Sequence, residues 1–292
     1  MSGGEIPTRR TLESWSKRHQ EDGDYEHLLE FRAVSLSFKG VKALTGVSFT
    51  VGEGELFAII GPNGAGKTST FNCLNGVYKP QQGDILWMGE SILGLRPDKV
   101  AELGVARTFQ NIELFAHMTV LENLLLGRHV RTSVGSLAGS LWFGKAKREE
   151  VANRVVVEDI IDLLEIEQWR KYPVALLPYG IQKRVELGRA LAMEPRLLLL
   201  DEPVAGMNLE ETEDMARFIL DVREELGMAM VLVEHDMGFV MDIADRIMVL
   251  DFGVPIATGL PLEIQRDPQV IKAYLGEEFD SDELRRAADE VS

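Results

Sequence analysis

A run of nine residues has the composition and spacing of a loop that holds a phosphate chain. It follows the apolar segment Leu56–Ile60 and reads, in order, Gly61, Pro62, Asn63, Gly64, Ala65, Gly66, Lys67, Thr68 and Ser69. Glycines permit backbone turns in which successive N–H groups point at one anion, and a helix that starts near Gly66 adds the positive end of its dipole. Lys67 can reach the β- and γ-phosphates, and the Thr68 hydroxyl can bind Mg²⁺. This loop, placed after a strand, predicts a site for a nucleoside triphosphate.

Two carboxylates after a second apolar run could complete such a site. Asp201 and Glu202 come directly after Leu197–Leu200, which has the composition of a buried strand. At the carboxyl end of a strand beside a phosphate loop, Asp201 can bind Mg²⁺ directly or through water, and Glu202 can orient or deprotonate an attacking water. Taken alone, the pair could equally cap a strand–helix turn. The phosphate loop on the same chain favours the metal and base roles.

Two further side chains are weaker candidates. His235 follows the apolar run Ala229–Val233, which lies one helix after the Asp201 strand. An imidazole there can hydrogen-bond to the γ-phosphate and the attacking water, although an isolated histidine in such a loop is usually structural. Gln110 offers a neutral amide where the chain enters a region of helical pattern. By itself this glutamine carries no weight.

The apolar pattern predicts an α/β fold. Continuous apolar strands alternate with helices in the second half of the chain, which indicates a parallel sheet covered on both faces. Near the N-terminus, Leu29–Leu36 and Ala43–Val51 have the alternating or β-branched pattern of strands, and a further strand is predicted over 84–88. Between about Gly94 and Tyr179 apolar residues recur at helical spacing.

The composition excludes several classes of protein. The formal net charge of the 292 residues is −16, which argues against a nucleic-acid binder because such proteins need a basic surface. No apolar run approaches about 18 residues and the N-terminus lacks the apolar part of a signal peptide, so we expect a chain that neither spans a membrane nor is secreted. Cys73 is the only cysteine, which excludes an internal disulfide, and we expect it to be buried.

In combination, these motifs resemble the nucleotide-binding domain of ABC transporters. The resemblance covers about residues 28–275 and implies an α/β ABC-type domain with a mostly parallel RecA-like core, an antiparallel β-subdomain and an α-helical subdomain at about 94–179. Residues 1–27 would be a polar extension without stable order, and residues 276–292 an acidic tail.

The resemblance also implies a role for each matching residue. Phe38 would stack on adenine, residues 61–69 would hold the phosphates, and Tyr179 and Gly180 would contact the nucleotide of a second subunit. The implied metal ligands are Thr68, Gln110 and Asp201, and the implied catalytic residues are Glu202, His235 and Gln110. The reaction would be hydrolysis of ATP with Mg²⁺.

Residues 177–184 depart from the LSGGQ signature that most of the family carries in this segment. Pro178 replaces the serine, Tyr179 replaces the first glycine, and Ile181 replaces the glutamine, whereas Gly180 is retained. In the family this segment contacts the γ-phosphate bound by a partner domain, so the loss of the serine removes one such contact. A helix predicted from Ile181 to Ala192 would still direct its N-terminus at the partner's nucleotide.

These departures, with the segments 107–127 and 253–276, resemble one branch of the family: the ATPase subunits of bacterial importers for branched-chain and other hydrophobic amino acids. That branch implies a second ATPase subunit, identical or different, membrane permeases, and indirectly a solute-binding protein. It also implies a cytoplasmic protein, peripheral on the inner face of the cell membrane. Alternatives are a transporter for urea, amides or exported lipids, a non-transport ABC ATPase of DNA repair or translation, and a regulatory subunit that binds ATP without hydrolysing it.

Overall fold

The computed structural model describes Trp15 and residues 25–110, 112–131 and 143–275. The strands are β1 (Leu29–Phe38), β2 (Val41–Val51), β3 (Leu56–Ile60), β4 (Gln82–Trp87), β5 (Glu90–Ser91), β6 (Val105–Arg107), β7 (Leu197–Asp201), β8 (Ala229–Val233), β9 (Arg246–Asp251) and β10 (Val254–Gly259). The α-helices are α1 (Lys67–Leu74), α2 (Pro97–Glu102), α3 (Val120–Gly127), α4 (Phe143–Leu163), α5 (Tyr179–Leu191), α6 (Leu209–Leu226), α7 (Met237–Ile243), α8 (Pro261–Arg266) and α9 (Pro268–Leu275).

Two sheets form the framework. The larger sheet has the strand order β10-β9-β3-β8-β7-β6, and its strands from β9 to β6 are parallel, with β10 antiparallel at the edge. The smaller sheet, β2-β1-β4-β5, is antiparallel. Because β3, β8, β7 and β6 are neighbours and run in the same direction, the loops after all four strands meet at one edge of the sheet.

The central strands are apolar throughout because both faces of the larger sheet are covered. In β3, Leu56, Ala58 and Ile60 pack into one hydrophobic cluster, with α3, α4, α5 and α6. The alternate residues Phe57 and Ile59 pack into a second cluster, with α1 and the smaller sheet. Successive strand residues point to opposite faces, so a strand buried on both sides has no polar positions.

Two elements differ from the sequence-based expectation. The chain between Gly94 and Tyr179 contributes a strand, Val105–Arg107, to the larger sheet, although its pattern is mostly helical. This strand has three residues, too few to show a periodicity. Helix α5 begins at Tyr179, two residues before the predicted start at Ile181, because Pro178 can stand at the N-cap, where no intrahelical N–H bond is needed.

The ends of the chain lie mostly outside the described residues. This applies to most of the predicted extension 1–27, of which residues 25–27 and Trp15, buried in the core, are described, and to the acidic tail 276–292. Cys73 is buried as expected, and burial raises the pKa of its thiol to about 12. In the part of the chain that the structure describes, no helix has both the length and the apolar character needed to cross a bilayer.

Candidate functional site

The loop between β3 and α1 has the conformation of an anion cradle. Gly61, Gly64 and Gly66 all have positive φ angles, of 148°, 79° and 107°, as expected for the predicted turns. A Cβ atom at residue 61 would collide with the carbonyl oxygen of Leu250, so only glycine fits there. The loop therefore brings its backbone N–H groups together at the start of a helix, an arrangement that favours phosphate.

The Lys67 side chain is folded into this loop. Its ammonium donates hydrogen bonds to the carbonyl oxygens of Gly61, at 2.6 Å, and of Pro62, at 3.1 Å. Asn63, Gly64 and Thr68 are exposed beside it. A buried cation thus lies next to an exposed stretch of backbone and an exposed hydroxyl. This combination suits a polyphosphate.

Two predicted catalytic side chains lie near one carboxylate oxygen of a third. The Glu202 Oε2 atom accepts a hydrogen bond of 2.7 Å from Nε2 of Gln110 and lies 3.9 Å from Nδ1 of His235. These residues come from the loops after β7, β6 and β8, the neighbouring strands whose carboxyl ends share one edge of the sheet. The parallel topology thus brings together side chains that are 92 and 33 residues apart in the sequence.

Glu202 has an unusual backbone conformation. Its φ angle is +47°, in the left-handed region that a non-glycine residue adopts at a cost of about 1–3 kcal/mol. Its N–H donates to the carbonyl oxygen of Val233, at 2.9 Å, which ties the turn after β7 to the end of β8. Such strain is concentrated at functional sites, where the surrounding structure holds a side chain in a required direction.

Asp201 is paired with an arginine that the sequence did not single out. The Nη2 atom of Arg107 lies 2.5 Å from Oδ2 of Asp201, and its Nη1 donates to Oδ1 of Asn72 at 2.8 Å. Both charged side chains are nearly buried. Arg107 is only three residues before Gln110, but its partner Asp201 is 94 residues away in the sequence. The two residues become neighbours only because β6 pairs with β7, so the sequence alone does not reveal the contact.

Removal of this arginine is expected to destabilise the protein. An Arg107→Met variant should lose about 2 kcal/mol of unfolding free energy, because a hydrogen bond to a charged group is worth about 1.5–3 kcal/mol and Asp201 would lose its counter-charge. The measurement is urea unfolding without nucleotide. The Arg107→Met/Asp201→Asn double variant should recover part of the loss. Equal unfolding free energies of wild type and Arg107→Met would contradict the expectation.

The oxygen groups at the site fit Mg²⁺. Thr68 offers a hydroxyl, Asp201 a carboxylate, and Gln110 an amide oxygen that is distinct from the nitrogen bound to Glu202. Mg²⁺ prefers oxygen ligands, and commonly takes only one or two from the protein, with phosphates and water as the others. Accordingly, no group of three or more His, Cys, Asp or Glu side chains among the described residues is arranged to hold a metal by itself.

Phe38 lies at the end of β1 with 44% of its surface exposed. Its ring packs edge-to-face against Tyr78, with the centroids 4.9 Å apart. A ring that is fixed on one edge and partly open to solvent can stack on a base. Tyr78 was not predicted from the sequence, since nothing links it to β1 before the chain is folded.

Replacement of this ring tests its role in nucleotide binding. Phe38→Ala is expected to weaken ATP binding about tenfold or more, since stacking between a base and an aromatic ring is worth about 1–3 kcal/mol. Binding of a fluorescent ATP analogue to the purified chain is the measurement. Phe38→Tyr should bind as the wild type does, and Phe115→Ala, at another exposed phenylalanine, is the matched control. Unchanged affinity in Phe38→Ala would exclude Phe38 as the adenine contact.

The segment 177–184 is held in place by the turn after β7, by α6 and by the apolar core. The Tyr179 hydroxyl donates to the carbonyl oxygen of Ala205, at 2.9 Å, and burial raises the pKa of the phenol. A Cβ atom at Gly180 would lie 2.8 Å from Oε1 of Glu211, so a side chain there would have to displace that carboxylate. Ile181 packs against the apolar core.

Helix α5 also holds the loop that carries Gln110. The Lys183 ammonium donates to the carbonyl oxygen of Gln110 at 2.9 Å, and Oε1 of Glu186 accepts the N–H of Phe109 at 3.2 Å. The two side chains are almost completely buried and lie 3.6 Å apart, and burial raises the pKa of the Glu186 carboxyl. In the sequence, the only sign of this pair is its spacing of three residues on a predicted helix.

Comparisons with protein families give two matches. The family model described as ABC transporter matches residues 44–205, which include the phosphate loop, Gln110, Asp201 and Glu202. A second model, described as branched-chain amino acid ATP-binding cassette transporter, matches residues 254–280.

Similar proteins are found among curated sequences and solved structures. The high-affinity branched-chain amino acid transport ATP-binding protein BraF of Pseudomonas aeruginosa is 42% identical over 250 residues, which are 86% of this chain and 98% of BraF. The corresponding protein LivG of Escherichia coli is 40% identical over 253 residues, with the same coverage. The ADP conformation of MJ1267, an ATP-binding cassette of an ABC transporter, superposes with a TM-score of 0.75 at 30% identity and covers 86% of this chain and 99% of that one. The last comparison confirms the predicted fold class.

Proposed function

The chain belongs to the ABC transporter family of ATP-binding proteins, and from this we propose that it is the ATP-hydrolysing subunit of a bacterial importer for branched-chain amino acids. The main observation in favour of ATP hydrolysis is that Gln110 and His235 both lie near the Glu202 carboxylate, beside the phosphate loop. The cargo class rests on the similarity to BraF and LivG and on the second family match near the C-terminus.

The phosphate loop binds and orients the substrate. Backbone N–H groups of residues 61–69 and the positive end of α1 hold the phosphates, and the Lys67 ammonium exchanges its carbonyl partners for phosphate oxygens. Phe38 stacks on adenine. These contacts place the γ-phosphate at the sheet edge where Glu202 lies. Positioning and charge neutralisation supply most of the catalysis in phosphoryl transfer.

Glu202 acts as the base. Its carboxylate takes a proton from a water whose oxygen attacks the γ-phosphorus, and the bond from that phosphorus to the bridging oxygen of ADP breaks. His235 and Gln110 hold the carboxylate and the water in line. Mg²⁺, held by Thr68, Asp201 and Gln110, would supply neutralisation of the phosphate charge when bound.

A second ATPase subunit completes the site. Tyr179 and Gly180 stand at the N-terminus of α5, where they are presented to the nucleotide of the partner, and the partner returns the equivalent segment. When the two ATPase subunits close on ATP, the region after Gln110 transmits the movement to membrane permeases. The permeases hold the chain at the inner face of the cell membrane.

Hydrolysis by the assembled complex tests this proposal. The chain is co-expressed with permeases and a second ATPase subunit of the proposed transporter, and phosphate release is measured in nanodiscs. Hydrolysis should require Mg²⁺ and rise when a leucine-loaded binding protein is added. An assembled complex that binds ATP but releases no phosphate would overturn the proposal and favour a regulatory role.

A further inference from the structure

Glu234 is a completely buried carboxylate next to the predicted catalytic histidine. It follows β8, in which every residue is apolar and buried, and its own side chain has no exposed surface. An isolated carboxylate is costly to bury, so a residue of this type at such a position needs hydrogen-bond donors.

Its donors come from two different loops. Oε1 of Glu234 accepts the N–H of Val204, at 3.2 Å, in the turn after β7. Oε2 accepts the N–H of His235, at 2.8 Å, and more weakly that of Asp236, at 3.4 Å. One carboxylate therefore joins the loop that carries Glu202 to the loop that carries His235.

This link acts on the geometry that matters for hydrolysis. Nδ1 of His235 is 3.4 Å from Oε2 of Glu234 and 3.9 Å from Oε2 of Glu202, so a small shift of either loop changes whether His235 and Glu202 can act on the same water. The backbone hydrogen bond from Glu202 to Val233 is a second tie between these loops. A misplacement of about 1 Å in an active site can lower the rate about a hundredfold.

The turn after β7 is held from a second direction. Ala205, which follows Val204, accepts the hydroxyl hydrogen of Tyr179 at 2.9 Å. The turn is thus fixed between Glu234 and the α5 segment that, under the proposed function, contacts the partner's nucleotide.

We propose that Glu234 is a positioning residue of the ATPase site: its carboxylate sets His235 against Glu202 by holding the two loops together. The proposal rests on the proposed function, because it concerns the same reaction. It assigns no contact between Glu234 and ATP. Glu234 therefore acts on turnover and not on the affinity for nucleotide.

The test is a comparison of Glu234→Gln with wild type in the complete complex. The amide keeps the size of the side chain but places an NH₂ group against backbone N–H donors. We expect kcat to fall about ten- to hundredfold with little change in the KM for ATP, and the melting temperature to fall as well because donors then face donors in a buried site. In a His235→Ala background the same substitution should have almost no further effect on kcat, because it acts through His235.

A matched control separates this role from a structural one. Glu194 is also a buried glutamate, and its Oε1 accepts a hydrogen bond of 2.9 Å from Arg128. It lies just before the start of β7, at the opposite end of that strand from Glu202. Glu194→Gln should lower the melting temperature and leave kcat unchanged. If Glu234→Gln behaves in that way, or if its effect adds fully to that of His235→Ala, the inference is wrong.

Two further outcomes are distinguishable. If the wild-type complex hydrolyses no ATP, both the proposed function and this inference fail, whereas normal turnover by Glu234→Gln alone overturns only the inference. If Glu234→Gln does not fold, amide hydrogen exchange in the wild-type protein decides: the Val204 and His235 amides should be protected, and rapid exchange at both would contradict the link.

Discussion

An enzyme with Glu202 replaced by glutamine is expected to bind ATP normally and to hydrolyse it about a hundred- to ten-thousandfold more slowly, which is the range for loss of a general base. Glutamine has the same shape and can still contact Gln110 and His235, but it cannot accept a proton from water at neutral pH. The measurement is single-turnover hydrolysis by the assembled complex, with binding of a fluorescent ATP analogue measured in parallel.

The control for this variant is Glu224→Gln, at an exposed position on α6, which should match wild type in both assays. Near-normal turnover by Glu202→Gln would remove Glu202 from the role of base. The strained φ angle of residue 202 can also be tested. Glu202→Gly should be at least as stable as wild type, because glycine adopts φ near +47° without strain, and as inactive as Glu202→Gln, because it too lacks the carboxylate.

The second large effect is expected for Lys67→Ala. Without the ammonium the loop loses its charged contact to the phosphates, and at least two charge-assisted hydrogen bonds of about 1.5–3 kcal/mol each disappear. We expect ATP to bind about a hundredfold more weakly or worse, and hydrolysis to be lost as a consequence. Isothermal titration of the purified chain with ATP measures this directly.

Lys99→Ala is the matched control, since Lys99 is an exposed lysine on α2 that pairs with Glu102. It should bind ATP as wild type does. Substitutions of the loop glycines are unsuitable for this test, because they also change the backbone conformation of the loop. If Lys67→Ala bound ATP with unchanged affinity, residues 61–69 would not be the phosphate site.

Much of the fold could be predicted because it follows from burial. The apolar runs 56–60, 197–200 and 229–233 are strands because each is covered on both faces, and this leaves a pattern in the sequence itself. Strand Val105–Arg107 escaped prediction, since three residues carry no period and the strand exists only by pairing with β7.

The candidate site divides in the same way. Residues 61–69 form a contiguous motif, and each of its glycines has the positive φ angle that the motif requires. Arg107 and Glu234 could not be found in this manner, because their partners Asp201 and Val204 lie 94 and 30 residues away. Arg107 and Glu234 reach these partners only after the parallel strands have brought the four loops to one edge of the sheet.

The most direct test of the account is transport itself. Proteoliposomes that contain the complete complex, with ATP and this chain on the inside, are supplied on the outside with radiolabelled leucine and the binding protein. We expect leucine uptake with wild type and none above background with Glu202→Gln. Equal uptake by both complexes, or no uptake of leucine, isoleucine or valine by a wild-type complex that hydrolyses ATP, would contradict it.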